Sequence, residues 1–301
     1  MSALSDTLRS DDFAVTAELS LSPQQSINEI IATAATLQNT VDAVQIPDHR
    51  NARPHISPVA VAAHMIAAGL DPIVHMNCRD RNRITMQSEL LAARSFGISN
   101  LILARGIELP DDHHPPTTSV FDLTAINLVR TAAAIRDGEV MTEGENEDGT
   151  DFFIGTVATA FKPKDNWEAE KLLAKADAGA QFIQLQLCMD TDVLASYAAH
   201  LVNSRLTWRF QVLANIAVLP SVEEARELRK SNPGSNIPTE FVRRISDAKD
   251  AEMEGVKITA ETIQVLEDVP GIAGVNLQAT ARPELILAAI DQSGVKVNGS
   301  A

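Results

Sequence analysis

Polar side chains of catalytic types recur near the ends of short apolar segments along this 301-residue chain. They comprise one acid, one imidazole, one guanidinium and several amides, at Glu18, Gln45, His75, Arg105, Gln184, Gln186, Asn215, Asn276 and Gln278. A buried polar group left without a partner costs about 1–3 kcal/mol, so we expect the set to line an open site that a ligand fills. Such a site could supply one proton and hydrogen-bond one or two planar heterocycles.

Single members of this set also have structural alternatives. Glu18 could form an ion pair with Arg105, and His75 could be a hydrogen-bonded histidine of the core. The coincidence across separate segments favours a site.

Metal chemistry and nucleophilic catalysis find little support in the residue pattern. No two His, Cys, Asp or Glu positions converge with ligand spacing, and the adjacent His113 and His114 cannot share a helix face. Cys78 and Cys188 each end a predicted strand, but no dedicated base accompanies either thiol. A Gly-x-Ser-x-Gly nucleophile elbow does not occur. We therefore predict no metal site and no covalent nucleophile.

The segments that must position these residues alternate between strand and helix patterns, several at the spacing of about thirty residues typical of a strand-plus-helix unit. The predicted strands are Ala14–Ser20, Asp42–Pro47, Pro72–Cys78, Asn100–Gly106, Phe152–Ala158, Phe182–Cys188, Phe210–Val218 and Gly274–Ala279. Helical patterns between them include Ser26–Leu37, Pro58–Ala68, Ile84–Phe96, Glu168–Ala178 and Val193–Val202. This α/β alternation predicts a (β/α)8 TIM barrel. A doubly wound sheet is less favoured, because no early Gly-x-Gly-x-x-Gly turn occurs.

Alternation of side chains along each strand predicts which residues face the barrel lumen. In the first strand, Glu18 lies opposite an apolar face that would pack against helices. In the fourth strand, we expect Arg105 to point inward together with Leu101 and Leu103. In the sixth, Cys188 shares the inward parity of the glutamines before it.

The whole chain, residues 1–301, is expected to form one barrel domain with insertions at about 107–151 and 220–273. Within the first, the stretch Asp137–Asp151 contains seven acids and no base, which indicates an exposed loop. The net charge of −15, the absence of a basic run and the small number of aromatic residues argue against nucleic-acid binding. No apolar run approaches the roughly 20 residues of a membrane helix, and the N-terminus lacks a signal peptide pattern. A cytoplasmic protein is predicted.

Four segments resemble the methylenetetrahydrofolate reductase family, whose members are flavin-dependent barrels that reduce 5,10-methylenetetrahydrofolate to 5-methyltetrahydrofolate. They are Thr16-Ala-Glu18, His75-Met-Asn-Cys78, Gly97–Gly106 and Lys175-Ala-Asp-Ala-Gly-Ala180, the last followed by Gln186 and Asp190. The resemblance implies that Glu18 is the general acid, which protonates N10 of the folate as its five-membered ring opens. Gln186 would bind the pterin, and the further lumen amides Asn215 and Gln278 would contribute to substrate binding.

The resemblance also implies an FAD or FMN cofactor, contacted by Gln45, His75, Arg105, Glu168 and Lys175. Glu168 and Lys175 are seven residues apart, which would place both on one helix face. Without the family, a solvated charge stripe with Lys171 is the preferred explanation of the same pair. The sequence departs from the family at three places: Ile107 stands where the family carries an acid after the Arg-Gly pair, Gln45 stands where it often has Thr, and its fifth-strand tyrosine has no match around Val157–Thr159.

Three functions are compatible with these residues. The first is an oxidoreductase of one-carbon metabolism that supplies methionine biosynthesis, with NADH or NADPH as donor and hydride transfer through flavin or directly. The second is a folate-dependent methyltransferase of the same fold, and the third is a non-catalytic partner subunit. A buried Glu18 favours the first, whereas Ile107 favours the others. Family members are often oligomers, so a homo-oligomer is compatible with the resemblance.

Overall fold

Eight parallel strands form a closed barrel in chain order, which confirms the predicted (β/α)8 fold. The computed structural model describes residues 2–10, 12–49, 52–109, 112–139, 149–164, 166–278 and 282–297. The strands are β1 (Ala14–Glu18), β2 (Ala43–Ile46), β3 (Pro72–Asn77), β4 (Asn100–Ala104), β5 (Phe153–Ala158), β6 (Phe182–Leu185), β7 (Gln211–Ala217) and β8 (Gly274–Gln278). Each lies within a predicted segment and is shorter than it. The end of the eighth predicted segment, Ala279, lies outside the described residues.

The α-helices of the described residues are α1 (Ala3–Arg9), α2 (Ile27–Leu37), α3 (Pro58–Ala67), α4 (Arg83–Ser95), α5 (Ala125–Arg136), α6 (Glu170–Asp177), α7 (Thr191–Asn203), α8 (Val222–Ser231), α9 (Thr239–Asp247), α10 (Ala251–Glu267) and α11 (Pro283–Ser293). Helices α2 to α10 connect successive strands, whereas α1 precedes β1 and α11 follows β8. None of them is long and apolar enough to cross a membrane.

Local sequence signals explain several helix boundaries. At the start of α2, Ser26 and Glu29 form a capping box, in which each side chain bonds to the other residue's backbone N–H. Gly69 and Gly97 follow α3 and α4 with φ angles of +77° and +73°. A residue with a Cβ adopts this left-handed conformation only at a cost, so both glycines end their helices as expected.

The two long connections differ in their helices within the described residues. The connection after β4 includes α5, and the connection after β7 includes α8, α9 and α10 before the chain enters β8. The central part of the predicted acidic loop, residues 140–148, lies outside the described residues.

The barrel has an apolar floor at the N-terminal end of its strands. The floor is formed by lumen-facing side chains of the strands together with two leucines of α1, namely Leu4, Leu8, Ala14, Ala43, Ile73, Ile102, Phe153, Phe182 and Leu213. A Cβ at position 155 would lie 2.2 Å from the Phe182 ring, so Gly155 is required for this ring to enter the lumen. Helix α1 therefore closes the lower end of the barrel.

The predicted orientation of the fourth strand is wrong. Ile102 packs in the floor, whereas Leu101 and Leu103 pack in the outer core against the helices. The ladder pairs Ile102 with His75, and paired residues of neighbouring parallel strands face the same side. The prediction took the polar Arg105 as a sign of which side chains of β4 face the lumen. Because β4 ends at Ala104, Arg105 lies beyond the strand and gives no information about this orientation.

Cys188 was also expected in the lumen, and this expectation is wrong. Strand β6 ends at Leu185, three residues earlier, and Cys188 packs in the outer core cluster. Its Sγ lies 3.8 Å from the Asn236 amide, which donates to it from the connection after β7. Strand parity ceases to apply once the strand has ended.

Helix α1 is held under the barrel by hydrogen bonds to acids and an amide at the strand starts. The Thr7 hydroxyl donates to Asp42 Oδ1 at 2.9 Å, and the Leu4 N–H lies 3.5 Å from Asp71 Oδ2. Asn100 donates to Asp71 Oδ1 at 2.7 Å. Burial raises the pKa of Asp71 to about 6, because these hydrogen bonds only partly offset the loss of hydration.

We expect Asp71 to make the protein less stable as the pH rises from about 4 to about 6. In that range the folded protein keeps the Asp71 proton and the unfolded chain releases it, so each pH unit lowers the free energy of unfolding by up to about 1.4 kcal/mol. Asp71→Asn removes this titration. Urea denaturation should show the variant gaining about 2–3 kcal/mol relative to wild type between pH 4 and pH 7. A difference that stays constant across this range would contradict the raised pKa, and the exposed Asp268→Asn serves as control.

Candidate functional site

A continuous band of hydrogen-bonded polar side chains crosses the lumen above the apolar floor. We name it the lumen belt, and it consists of Thr16, Gln45, His75, Gln184, Asn215, Asn276 and Gln278. These residues come from β1, β2, β3, β6, β7 and β8. Gln45, His75, Gln184, Asn215, Asn276 and Gln278 are the belt residues predicted to face the lumen. Their hydrogen bonds across the barrel confirm that orientation.

Gln45 is the junction of the belt on the β2 side. Its Nε2 donates to Thr16 Oγ1 at 2.9 Å and to Gln184 Oε1 at 2.6 Å. Its Oε1 lies 2.9 Å from His75 Nε2. Gln45 is completely buried, and its amide forms hydrogen bonds to three partners within the barrel.

The belt continues from Thr16 to the opposite wall. The Thr16 hydroxyl lies 3.0 Å from Asn276 Oδ1, and Asn276 Nδ2 donates to Asn215 Oδ1 at 2.9 Å. Asn215 Nδ2 then lies 3.4 Å from Gln278 Oε1. The amides therefore satisfy much of their hydrogen bonding with one another, and the expectation that a ligand fills the site stays a prediction. The buried polar groups therefore carry little net cost.

Glu18 is the acid of the site. It is the last residue of β1, lies two residues beyond Thr16 on the same face, and is opposite Gln45 in the ladder. Only 2% of its surface is exposed. The carboxyl group thus lies on the lumen face at the C-terminal end of the barrel, which is the end where barrel enzymes carry their active sites.

Gln186 lies at the same end, just beyond β6, as the parallel strand order requires. It is exposed, and its Oε1 accepts a hydrogen bond of 2.7 Å from the Thr159 hydroxyl. Its backbone N–H donates to Ala158 O at 2.7 Å. Glu18 and Gln186 therefore open on the same mouth of the barrel.

A buried ion pair at the ends of β2 and β3 was missed by the sequence argument. Arg81 forms two hydrogen bonds to Asp48, of 2.7 and 2.8 Å, and the backbone N–H of Asn77 donates to Asp48 Oδ2 at 2.7 Å. The two charged side chains are only 12% and 3% exposed. Burial alone would lower the pKa of Arg81, but the hydrogen bonds and charge of Asp48 hold this pKa above its ordinary value.

The loop after β2 contains a second feature that the sequence argument missed. His49 has a positive φ of 45°, and its backbone N–H donates to His55 Nε2 at 3.0 Å. His55 Nδ1 lies 2.7 Å from Ile56 O, so this imidazole bridges two backbone groups. Burial lowers the pKa of His55, which keeps Nε2 available as an acceptor.

Arg105 lies on the rim of the mouth. Its guanidinium stacks 4.0 Å above the Phe121 ring and donates to Glu108 Oε1 at 2.7 Å. The Arg105 side chain is 52% exposed. Ile107, which stands where the family carries an acid, is 72% exposed.

Lys175 and Glu168 do not share a helix face, so this expectation is wrong. Helix α6 begins at Glu170, and Glu168 precedes it beside a surface cavity of about 580 Å³. The chain turns at Trp167, whose N–H bonds to Lys164 O, which delays the helix. Lys175 donates to the backbone carbonyl of Val157 at 2.5 Å, and burial together with nearby Lys171 lowers the pKa of this lysine.

The residues that the resemblance assigns to flavin come from the consecutive strands β2 and β3, from the end of β4 and from the connection after β5 with its helix α6. Gln45 and His75 belong to the belt, Arg105 lies on the rim, and Glu168 and Lys175 lie on the β5 and α6 side. Gln45 and Lys175 already bond to protein groups. Arg105 and Glu168 are exposed, so their side chains are accessible to a ligand.

Metal ligands do not cluster in the residues that the structure describes. No group of three or more His, Cys, Asp or Glu side chains there could hold a metal ion.

The fold and the site define a (β/α)8 barrel with a buried carboxyl group at the C-terminal end of its first strand. The sequence profile of the family described as methylenetetrahydrofolate reductase matches residues 3–294, and the chain belongs to this family. No individual curated protein matches the chain. Membership supports a function of the methylenetetrahydrofolate reductase type, and the family is generally associated with flavin.

We expect Arg81→Met to lower the free energy of unfolding by about 3 kcal/mol, because it leaves the buried carboxylate of Asp48 without its countercharge. Arg83→Met, at the exposed start of α4, is the matched control and should change stability by less than about 0.5 kcal/mol. Urea denaturation measures both. The double variant Asp48→Asn/Arg81→Met should recover part of the loss, and an Arg81→Met effect no larger than the control would contradict a structural role for the pair.

Proposed function

We propose that this protein reduces 5,10-methylenetetrahydrofolate to 5-methyltetrahydrofolate with NADH or NADPH as the hydride source. The observation that carries the proposal is the position of Glu18 at the C-terminal mouth of a barrel of this family. Membership in the family supports folate as the substrate. The product would serve methionine synthesis, and we expect the protein to act in the cytoplasm.

In this proposal Glu18 is the proton donor. The bond between the methylene carbon and N10 breaks as Glu18 gives its proton to N10, which leaves an iminium at N5. A hydride then adds to the methylene carbon and produces the methyl group. One proton and one hydride are consumed, which balances the reduction. Removing a positioned general acid typically slows such a step by roughly 10²–10⁴-fold.

The amides around Glu18 would bind the pterin. Gln186 accepts from Thr159 through its Oε1, so its amide N–H groups face no competing acceptor within the described residues. They can donate to ring nitrogens or the carbonyl of the substrate. Asn215 and Gln278 lie at the far end of the belt, where they would support the opposite side of the ring.

Direct hydride transfer from the nicotinamide is the route that Ile107 favours. This exposed isoleucine stands where the family carries an acid near the flavin ring, so it removes a charge and a hydrogen-bond acceptor there. The methyltransferase alternative shares the folate substrate but consumes no reduced nicotinamide. The oxidation of NADH or NADPH in the presence of the folate therefore distinguishes the two functions.

We expect Glu18→Gln to slow the reduction by roughly 10²–10⁴-fold, equivalent to about 3–5 kcal/mol of transition-state stabilisation. The amide keeps the size of the side chain but has no proton to give to N10. Folate affinity, measured by calorimetry, should change much less than the rate, and Glu267→Gln at the end of α10 is the control. If Glu18→Gln reduces the folate at a rate within a few-fold of wild type, Glu18 is not the proton donor.

We also expect protein freed of flavin to oxidise NADH or NADPH when methylenetetrahydrofolate is present. The absorbance of the reduced nicotinamide at 340 nm measures this directly. Added FAD or FMN should leave the rate unchanged within about twofold. Activity that appears only after flavin is added would exclude the direct route, and methyl transfer without nicotinamide oxidation would favour the methyltransferase.

A further inference from the structure

The donors and acceptors of the lumen belt determine where one of its members carries a proton. We infer that the belt is a directional hydrogen-bond chain that keeps a proton on Nε2 of His75 and so selects one tautomer of the neutral imidazole. The inference concerns the same site as the proposed function. It rests on that function only for the part that His75 plays in turnover.

Thr16 sets the direction, because a hydroxyl group has one proton to donate. Its Oγ1 lies 3.0 Å from Asn276 Oδ1 and 3.4 Å from the backbone carbonyl of Val275. A carbonyl oxygen only accepts, so the hydroxyl proton is directed toward β8. On its other side, toward Gln45, Thr16 therefore acts as an acceptor.

The orientation of Gln45 follows from that of Thr16. Its Nε2 must face Thr16 Oγ1, at 2.9 Å, and its second proton goes to Gln184 Oε1 at 2.6 Å. The other end of the amide is then Oε1, which only accepts. His75 Nε2 lies 2.9 Å from this oxygen and has to be the donor.

The remaining members continue the same direction. Asn276 donates to Asn215, and Asn215 lies within hydrogen-bond distance of Gln278 Oε1, so donation runs from His75 across the barrel to Gln278. Turning any single amide would place two donors or two acceptors against each other. The chain therefore holds its direction as a unit, and neighbouring hydrogen bonds strengthen one another.

This arrangement has a consequence for whatever contacts the other ring nitrogen. In the neutral imidazole with a proton on Nε2, Nδ1 is an acceptor. A group that bonds to His75 Nδ1, whether from the chain or from a ligand, has to present an N–H or O–H. Thr16 and Gln45 are thus positioning residues, which act on the ligand through the tautomer of His75.

The direct test is the ¹⁵N NMR spectrum of histidine-labelled protein at pH 9, without folate or nicotinamide. The His75 signals are assigned by their loss in His75→Gln. We expect wild type and Thr16→Ser to show one tautomer, protonated on Nε2. Thr16→Val removes the hydroxyl at similar volume and lets Gln45 turn over, so both tautomers should appear. Wild type protonated on Nδ1, or an unchanged Thr16→Val spectrum, would overturn the inference.

Two further variants keep the test decisive if Thr16→Val does not fold. Gln45→Met removes the acceptor next to His75 and should also give both tautomers. Gln184→Met removes a belt residue but leaves the contact between Thr16 and Gln45, so it should keep the wild-type tautomer. A mixture in Gln184→Met together with a single tautomer in Gln45→Met would contradict the chain.

Turnover then separates the inference from the proposed function. If the protein is a reductase, Thr16→Val should lower kcat about tenfold with a smaller change in KM, and Thr16→Ser should restore it. Protein that shows the expected spectra but no reductase activity would refute the proposed function and leave the inference standing. If the protein is an active reductase and Thr16→Val leaves the His75 tautomer unchanged, the proposed function stands and the inference is refuted.

Discussion

The mutual satisfaction of buried amides in the lumen is the constraint on which the rest of the site depends. Gln45 lies completely buried among polar partners, so any change in one of them leaves a donor or acceptor unpaired in a dry environment. An unpaired buried group costs about 1–3 kcal/mol, which is a substantial fraction of a domain's free energy of unfolding. The belt joins strands that are distant in the chain and thereby holds the mouth of the barrel in one arrangement.

Much of the fold could be predicted from the sequence, because barrel strands and helices repeat with a local period. The inward placement of the belt residues follows from alternation within each strand, which needs no knowledge of the partner strand. The same rule failed at Arg105 and Cys188, because both lie beyond the ends of their strands. Where a strand ends depends on its hydrogen bonds to the neighbouring strand, and the local sequence does not contain this information.

The parts of the site that the sequence did not reveal depend on contacts between distant positions. Asp48 and Arg81 are residue types found mostly on surfaces, and only the approach of two loops makes them a buried pair. The sequence likewise does not reveal why the lumen is polar. A list of buried amides cannot distinguish a set that awaits a ligand from one that is satisfied internally, because the difference lies in distances across the barrel.

The neutral character of the belt limits the proton chemistry of the site to few groups. On the lumen faces of the strands that the structure describes, the titratable side chains are Glu18 and His75. If the belt engages the Nε2 proton of His75, that proton is committed to Gln45 and does not compete for a substrate atom. In the proposed reaction, the proton delivered to the substrate would come from Glu18, and its replacement would enter from the C-terminal end, because the apolar floor and α1 close the other end. In that reaction, the proton and the hydride would both reach the substrate from the C-terminal side of the lumen.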